Sequence, residues 1–237
     1  MRIYLVRHGQ SLANVDKTVH KTYADHAIPL SDEGHDQAAQ VGEFFDRYFE
    51  EKYVPDGLVD RGFEGWKPNP RIRLWASPYV RASETADHIG AHTPFWLYDR
   101  REHILLGEQQ FGLFDGIPDD ELPNLYPVEH AHYEQQVKFE GKFWAPMPLG
   151  ESRFDVAKRV HQSFGTFHRD ADKHDIKDII VVSHGVTIRA FLMMWLHLPV
   201  KWFEDEPNPQ NCSVRLIEDG EDKGYIFPGF KSPRHSI

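Results

Sequence analysis

Leu5-Val6-Arg7-His8-Gly9-Gln10-Ser11, near the N-terminus, and Val182-Ser183-His184-Gly185, near the other end, read as two versions of one device. Each sets a histidine and then a glycine directly after a short apolar, β-branched run, Ile3 to Val6 in the first and Ile179 to Val182 in the second. An imidazole so placed stands at the carboxyl end of a buried strand, where open α/β sheets bind ligands. The glycine lets the backbone approach closely whatever the imidazole touches. Arg7 puts a permanent cation beside the first histidine. The two pieces together predict one phosphate pocket assembled from both ends of the chain.

The intervening sequence predicts an alternation of strands and helices. Ser31 is a good N-cap, with Asp32 and Glu33 at the positive end of a helix that carries Ala38, Val41, Phe45 and Phe49 on one face. Residues 50–71 are polar and rich in proline and glycine, and read as an exposed connection. Ile72 to Ala76 is a second strand, after which Ser77-Pro78 starts a helix with proline at its first position. Ser152 with Asp155 forms a capping box before Val156, Val160, Phe164 and Phe167. Ile179 to Ser183 is a strand, followed by a helical face of Ile188, Phe191, Leu192, Trp195 and Leu196. Cys212 to Ile217 and Tyr225 to Phe227, around Asp219-Gly220, read as a hairpin. Such an order predicts an α/β fold with a mostly parallel central sheet covered by helices on both faces.

Composition narrows the function. The chain has 237 residues, 40% hydrophobic and 27% charged, as soluble globular proteins do. A formal charge of −10 argues against general binding of nucleic acid or anionic membranes. It also requires a local positive pocket for any anionic substrate. The single cysteine, Cys212, cannot form an intrachain disulfide, which points to a reducing, cytoplasmic setting. Only four apolar residues precede Arg7 in the first strand, so no signal peptide is expected. The apolar run Ala190 to Leu196 is too short to span a bilayer.

Arg7-His8-Gly9 with His184-Gly185 resembles the histidine phosphatase superfamily, also called phosphoglycerate mutase-like. The resemblance extends to Pro29-Leu30-Ser31-Asp32-Glu33-Gly34, to Ala76 through Ala86, and to Leu106-Gly107-Glu108-Gln109-Gln110-Phe111-Gly112 continuing to Asp115-Gly116. It implies a single domain over residues 1–237 with a cap insert at about 109–150 that overhangs the pocket. The rings of that stretch, Phe111, Phe114, Tyr126, Tyr133, Phe139, Phe143 and Trp144, are expected to form mostly the cap's own small core.

The chemistry expected of such a pocket assigns a role to each residue. Phosphoryl transfer is catalysed mainly by positioning and charge stabilisation. His8 is the expected nucleophile, a neutral imidazole that takes the phosphoryl group as phosphohistidine, kept deprotonated by nearby cations. Arg7 and Arg81 fork two N–H groups each onto phosphate oxygens. His184 is expected to donate to a phosphate oxygen as imidazolium. Glu108 is the proton donor to the departing oxygen and then the base for water. By resemblance, Asn14 and the backbone at Gly185 contact phosphate. No metal or other cofactor is expected: His103, His130 and His132 show no ligand spacing.

Three departures from the mutase pattern favour hydrolysis of a small phosphorylated substrate. Gly112 to Gly150 contains no arginine, only Lys138 and Lys142, where the family's mutases carry an arginine pair. Leu12-Ala13-Asn14 and Val186-Thr187 also differ from the corresponding mutase motifs. Gln10-Ser11-Leu12 after Gly9 departs from the phytase-type pattern as well. The reading is a metal-independent phosphomonoesterase; its alternatives are a cofactor-dependent phosphoglycerate mutase and a catalytically silent phospho-ligand-binding relative. The substrate and the oligomeric state are not legible in the sequence.

Overall fold

The computed structural model describes residues 1–54 and 71–231. In chain order these carry β1 (Arg2–Arg7), α1 (Leu12–Val15), α2 (Asp32–Tyr53), β2 (Arg71–Ala76), α3 (Val80–His92), β3 (Leu97–Glu102), α4 (Leu122–Leu125) and α5 (Pro127–Glu140). They continue with α6 (Arg153–His174), β4 (Ile176–Ser183), α7 (Gly185–Trp195), α8 (Val200–Asp205), β5 (Val214–Glu218) and β6 (Glu221–Phe227). The strands form one sheet in the order β3-β2-β4-β1-β5-β6. The first four are parallel; β5 and β6 run antiparallel and close one edge as the expected hairpin.

Alternation along the central strands explains the layers. Ile3 and Leu5 of β1 and Ile179 and Val181 of β4 face one side, where they pack with Val160, Phe164 and Phe167 of α6 and Phe191 of α7. Tyr4, Val6, Ile180 and Val182 face the other, against Val41, Phe45 and Phe49 of α2 and Ala82, Ala86 and Ile89 of α3. Strands buried on both faces carry continuous apolar runs, here Ile3 to Val6 and Ile179 to Val182, in place of a polar alternation. The caps at Ser31 and Ser152 form as the sequence predicts: Ser31 Oγ accepts from Gly34 N–H, and Ser152 and Asp155 make a reciprocal box. Among the described residues no helix is long and apolar enough to cross a membrane.

Several boundaries differ from expectation. The helix carrying Arg81 begins at Val80, with Tyr79 as its N-cap, not at Ser77-Pro78. Ser77 instead accepts from Tyr79 N–H at 3.2 Å, so its hydroxyl ties a turn where a helix start was expected. Helix α2 runs on to Tyr53; the rest of the expected connection, residues 55–70, lies outside the described residues. β3 was not anticipated. It is an edge strand, Leu-Tyr-Asp-Arg-Arg-Glu, whose largely solvent-facing side chains erase the apolar signature.

The stretch 109–150 holds α4, α5 and a small cluster of Phe114, Leu122, Tyr133 and Ala145. The cap's aromatics divide three ways. Phe114 and Tyr133 are in this cluster, with Tyr126 packed against it. Phe143 joins the main core, and Phe139 and Trp144 are exposed.

Candidate active site

Register brings the two histidines together. β1 pairs with β4 so that Arg7 stands opposite Ser183, and the next residue on each strand is His8 or His184. Their ring centroids are 5.1 Å apart. Ser77 leaves the neighbouring β2, its N–H donating to Val182 O at 2.9 Å, and its hydroxyl lies 2.8 Å from His184 Nε2. Three adjacent parallel strands thus deliver His8, His184 and Ser77 to one edge of the sheet. Gly9 serves this assembly by packing rather than by ligand approach. A Cβ there would come within 2.6 Å of the Gly34 carbonyl, so α2 can sit against the loop only if position 9 is glycine.

The loop and the arginines open onto a cavity of about 300 Å³. It is lined by Arg7, His8, Asn14, Arg81 and Glu108, together with Asp25, His20 and residues of the 109–150 stretch that include Phe111, Phe114 and Asp115. His8 Nδ1 lies 2.7 Å from the Gly9 carbonyl. A carbonyl only accepts, so Nδ1 carries the hydrogen and Nε2 is left with its lone pair. Burial, and then the charges of Arg81 and Arg7, hold His8 well below the usual histidine range. The ring is neutral at pH 7, as a nucleophile requires.

His184 is placed differently from expectation. It is fully buried, in ring contact with His8 and with Tyr79 at 5.0 Å, and does not line the cavity. Burial, then Arg81, His8, Arg159 and Arg7, push it well below the usual range. A buried imidazole among cations loses its proton unless an anion holds it there, the condition on which the expected imidazolium rests. Its Nδ1 is buried with no hydrogen-bond partner. A phosphoryl oxygen reaching that nitrogen would supply the partner and oppose the shift.

Arg7 donates to the Pro209 carbonyl, and Arg81 donates to the backbone carbonyl and the carboxylate of Asp25. Both guanidiniums are buried yet line the cavity. Asn14 lines it too, its Oδ1 accepting from Ser11 N–H at 3.0 Å. Gly185 does not. It opens α7 and packs against Asn208, whose Oδ1 would meet an added Cβ at 3.0 Å. Gln10 is a structural residue that accepts from Ser31 Oγ, whereas Ser11 reaches the cavity.

Glu108 is half-buried on the cavity wall. Its carboxylate accepts from Gln109 N–H at 2.9 Å and Val186 N–H at 3.4 Å, and lies 3.3 Å from Thr187 Oγ1. The loop is clamped by Arg159, which reaches from α6 to the carbonyls of Leu105, Gly107 and Glu108 and pairs with Glu151 at 2.8 Å. Arg159, Thr187 and Ser77 were not expected from the sequence as residues of the site. Each acts through backbone or through another side chain, and no local motif marks that.

One further group comes together on the wall. His20, Asp25 and Asp115 offer ligand atoms within 4.8 Å of one another, while His103, His130 and His132 form no such group among the described residues. Burial, and then Asp25, raise the Asp115 carboxyl above its usual range, opposed by His20 and Arg81. Asp25 pairs with Arg81 at 3.1 Å, and His20 Nδ1 lies 3.8 Å from Asp115.

Residues 3–54 and 62–226 match the sequence pattern of the histidine phosphatase superfamily (branch 1). A phosphoglycerate mutase-like protein of Arabidopsis thaliana, AT74H, is 32% identical over 95% of this chain and 76% of its own length. The broad-range acid phosphatase DET1 of Saccharomyces cerevisiae is 24% identical over 91% of this chain and 84% of its own. A mycobacterial glucosyl-3-phosphoglycerate phosphatase has the same fold, with a TM-score of 0.65 at 22% identity, over 92% of each chain.

Proposed function

The chain belongs to the histidine phosphatase superfamily, branch 1, and we propose that it is a metal-independent phosphomonoesterase that hydrolyses a small phosphorylated substrate through a phosphohistidine on His8. The observation that carries this reading is the state of His8. Its Nδ1–H is fixed on Gly9 O, its ring is held neutral, and it lines a cavity that Arg7 and Arg81 also line.

In the first step His8 Nε2 attacks phosphorus and the ester P–O bond breaks. Glu108 gives its proton to the leaving oxygen. Arg7 and Arg81 hold the equatorial oxygens, where charge gathers. The Ser77 hydroxyl, which accepts from Tyr79 N–H, donates to His184 Nε2; the hydrogen then sits on Nδ1, which donates to a phosphoryl oxygen. In the second step water attacks the phosphohistidine, Glu108 takes its proton, and phosphate leaves as His8 is restored. Asn14 contacts phosphate through its amide; the Gly185 position assists by opening α7 behind the pocket.

The acid phosphatase relative supports hydrolysis, while the Arabidopsis relatives' mutase-like names keep transfer as the alternative. The presence of all five residues Arg7, His8, Arg81, Glu108 and His184 argues against a silent binder. A buried lone thiol at Cys212 fits a cytoplasmic setting.

Turnover of p-nitrophenyl phosphate by the wild type and its loss in folded His8→Ala tests the proposal. Trapped phosphate should be acid-labile and base-stable, on His8. Near-wild-type hydrolysis by His8→Ala, or stable phosphate on serine, would overturn it.

A further inference from the structure

A second cavity of about 560 Å³ adjoins the catalytic one, and the two share Phe111, Phe114, Asp119, Val186 and Asn208 as walls. Its other walls include Tyr133 of the 109–150 stretch and two arginines from outside it, Arg153 and Arg189. Both guanidiniums flank the Phe203 ring, at 5.7 Å and 4.6 Å from its centroid.

Arg153 is the first residue of α6, where the helix dipole disfavours a cation and favours an acid. It is half-buried, and among the described residues it donates no hydrogen bond and has no carboxylate within 4 Å. Glu204, which acts on it at longer range, is exposed. Arg189 is 7% exposed. Its Nη1 donates to the carbonyls of Phe203 and Glu206, yet its Nε is buried with no partner. Burial, and then Arg153, lower Arg189 to about 10 against the opposing pull of Glu108 and Glu206, so the two cations repel each other across a poorly solvated space. The acids on this cavity, Asp119 and Glu134, are exposed, and water screens them; the buried part is positive.

We infer that this cavity is a specificity subsite for a second anionic group of the substrate, held by Arg153 and Arg189. This rests on the phosphatase reading of the adjoining pocket. The substrate class is a small phosphomonoester that carries a carboxylate or a second phosphate at its far end. Its middle section lies along Phe111, Phe114 and Tyr133. An oxyanion there removes the repulsion between the guanidiniums and occupies the orphaned N–H of Arg189. The positive charge that the stretch 112–150 lacks in its own sequence is thus supplied by α6 and α7, which follow it.

The test is calorimetric binding of alkylphosphonates of graded length, ending in methyl, in carboxylate or in a second phosphonate. At the length that spans the two cavities, an anionic end should tighten binding by about tenfold or more, as charge-assisted hydrogen bonds do. The carboxylate and phosphonate arms decide which anion the site prefers. Arg153→Met should remove the advantage, and Arg153→Lys should restore part of it. Arg153→Asp, which suits a helix N-terminus, should keep or raise the melting temperature while turning the advantage into a penalty. Equal affinity of methyl and anionic ends at every length, or an advantage that survives Arg153→Met and Arg153→Asp, would overturn the subsite. Binding is read without turnover, so a failure to hydrolyse any ester counts against the phosphatase reading alone.

Discussion

Arg81 donates from Nη1 to the backbone carbonyl of Asp25 and from Nη2 to its carboxylate at 3.1 Å, so one aspartate aims the guanidinium that faces the cavity. The guanidinium also lies over the Tyr79 ring, 5.1 Å from its centroid. A cation fixed before substrate arrives loses little freedom on binding, which is how positioning residues accelerate a reaction.

The consequence is a contrast between two substitutions at Asp25. Asp25→Ala removes the side-chain acceptor and should lower kcat/KM for p-nitrophenyl phosphate about tenfold. Asp25→Asn keeps an acceptor and should stay within about threefold of the wild type. Equal losses in both would assign the effect to the carboxylate's charge instead.

Stability should depend on pH through His8 and His184. Both are held well below the usual range when folded, chiefly by burial. The unfolded chain therefore binds more protons than the folded one below about pH 6.5. Their contribution is fully present above that pH and is lost as pH falls towards the folded values. The limiting slope is about 1.4 kcal/mol per pH unit for each histidine. Thermal unfolding between pH 8 and 5 should show a falling melting temperature below 6.5. His8→Gln should make that fall shallower, and an unchanged slope would refute the assignment.

Glu108→Gln removes the ionisable proton with little change of shape. The loss should be about 10²–10⁴-fold for alkyl phosphates, whose leaving oxygen must be protonated, and smaller for nitrophenyl esters. The comparison is made on kcat for both ester types. Equal losses would mean that Glu108 only positions substrate, as its contacts with Val186 N–H and Gln109 N–H would also permit.

The strand-ending histidines, both helix caps and the hairpin were legible because each depends on residues adjacent in sequence. Edge strand β3 was not, since its charged side chains face water and carry no apolar pattern. The downward pull on the His184 ring was not legible for a related reason: it comes from burial first, and then from Arg81, His8, Arg159 and Arg7, which only the fold brings near. Arg159 could not be found from sequence: it lies 51 residues from Glu108 and holds it through backbone carbonyls.

Arg7 and Arg81 supply the fixed positive charge of the reaction pocket, so EDTA should leave kcat/KM unchanged. Arg81→Lys should still be damaging, by about tenfold or more, because a point charge cannot replace the fork. The group His20, Asp25 and Asp115 makes the chelation result informative. Activity lost in EDTA, restored by a divalent ion and abolished in His20→Ala would make that group a metal site.

The choice between hydrolysis and transfer turns on what faces the phosphohistidine. A mutase must keep water out and hold a doubly anionic intermediate while the phosphoryl group returns to a different oxygen. Here the half-buried Asp25 and Asp115 line the catalytic cavity, and they disfavour a bisphosphate turning within it. A second anion resting on Arg153 and Arg189 does not change this, because those arginines lie in the adjoining cavity and fix the far end of the substrate. A ligand pinned at that end presents one phosphoester to His8 and cannot exchange its ends. Free phosphate should therefore accumulate from monophosphates, with negligible interconversion of 2- and 3-phosphoglycerate. A coupled assay that showed rapid interconversion, stimulated by 2,3-bisphosphoglycerate, would establish the mutase in place of the phosphatase.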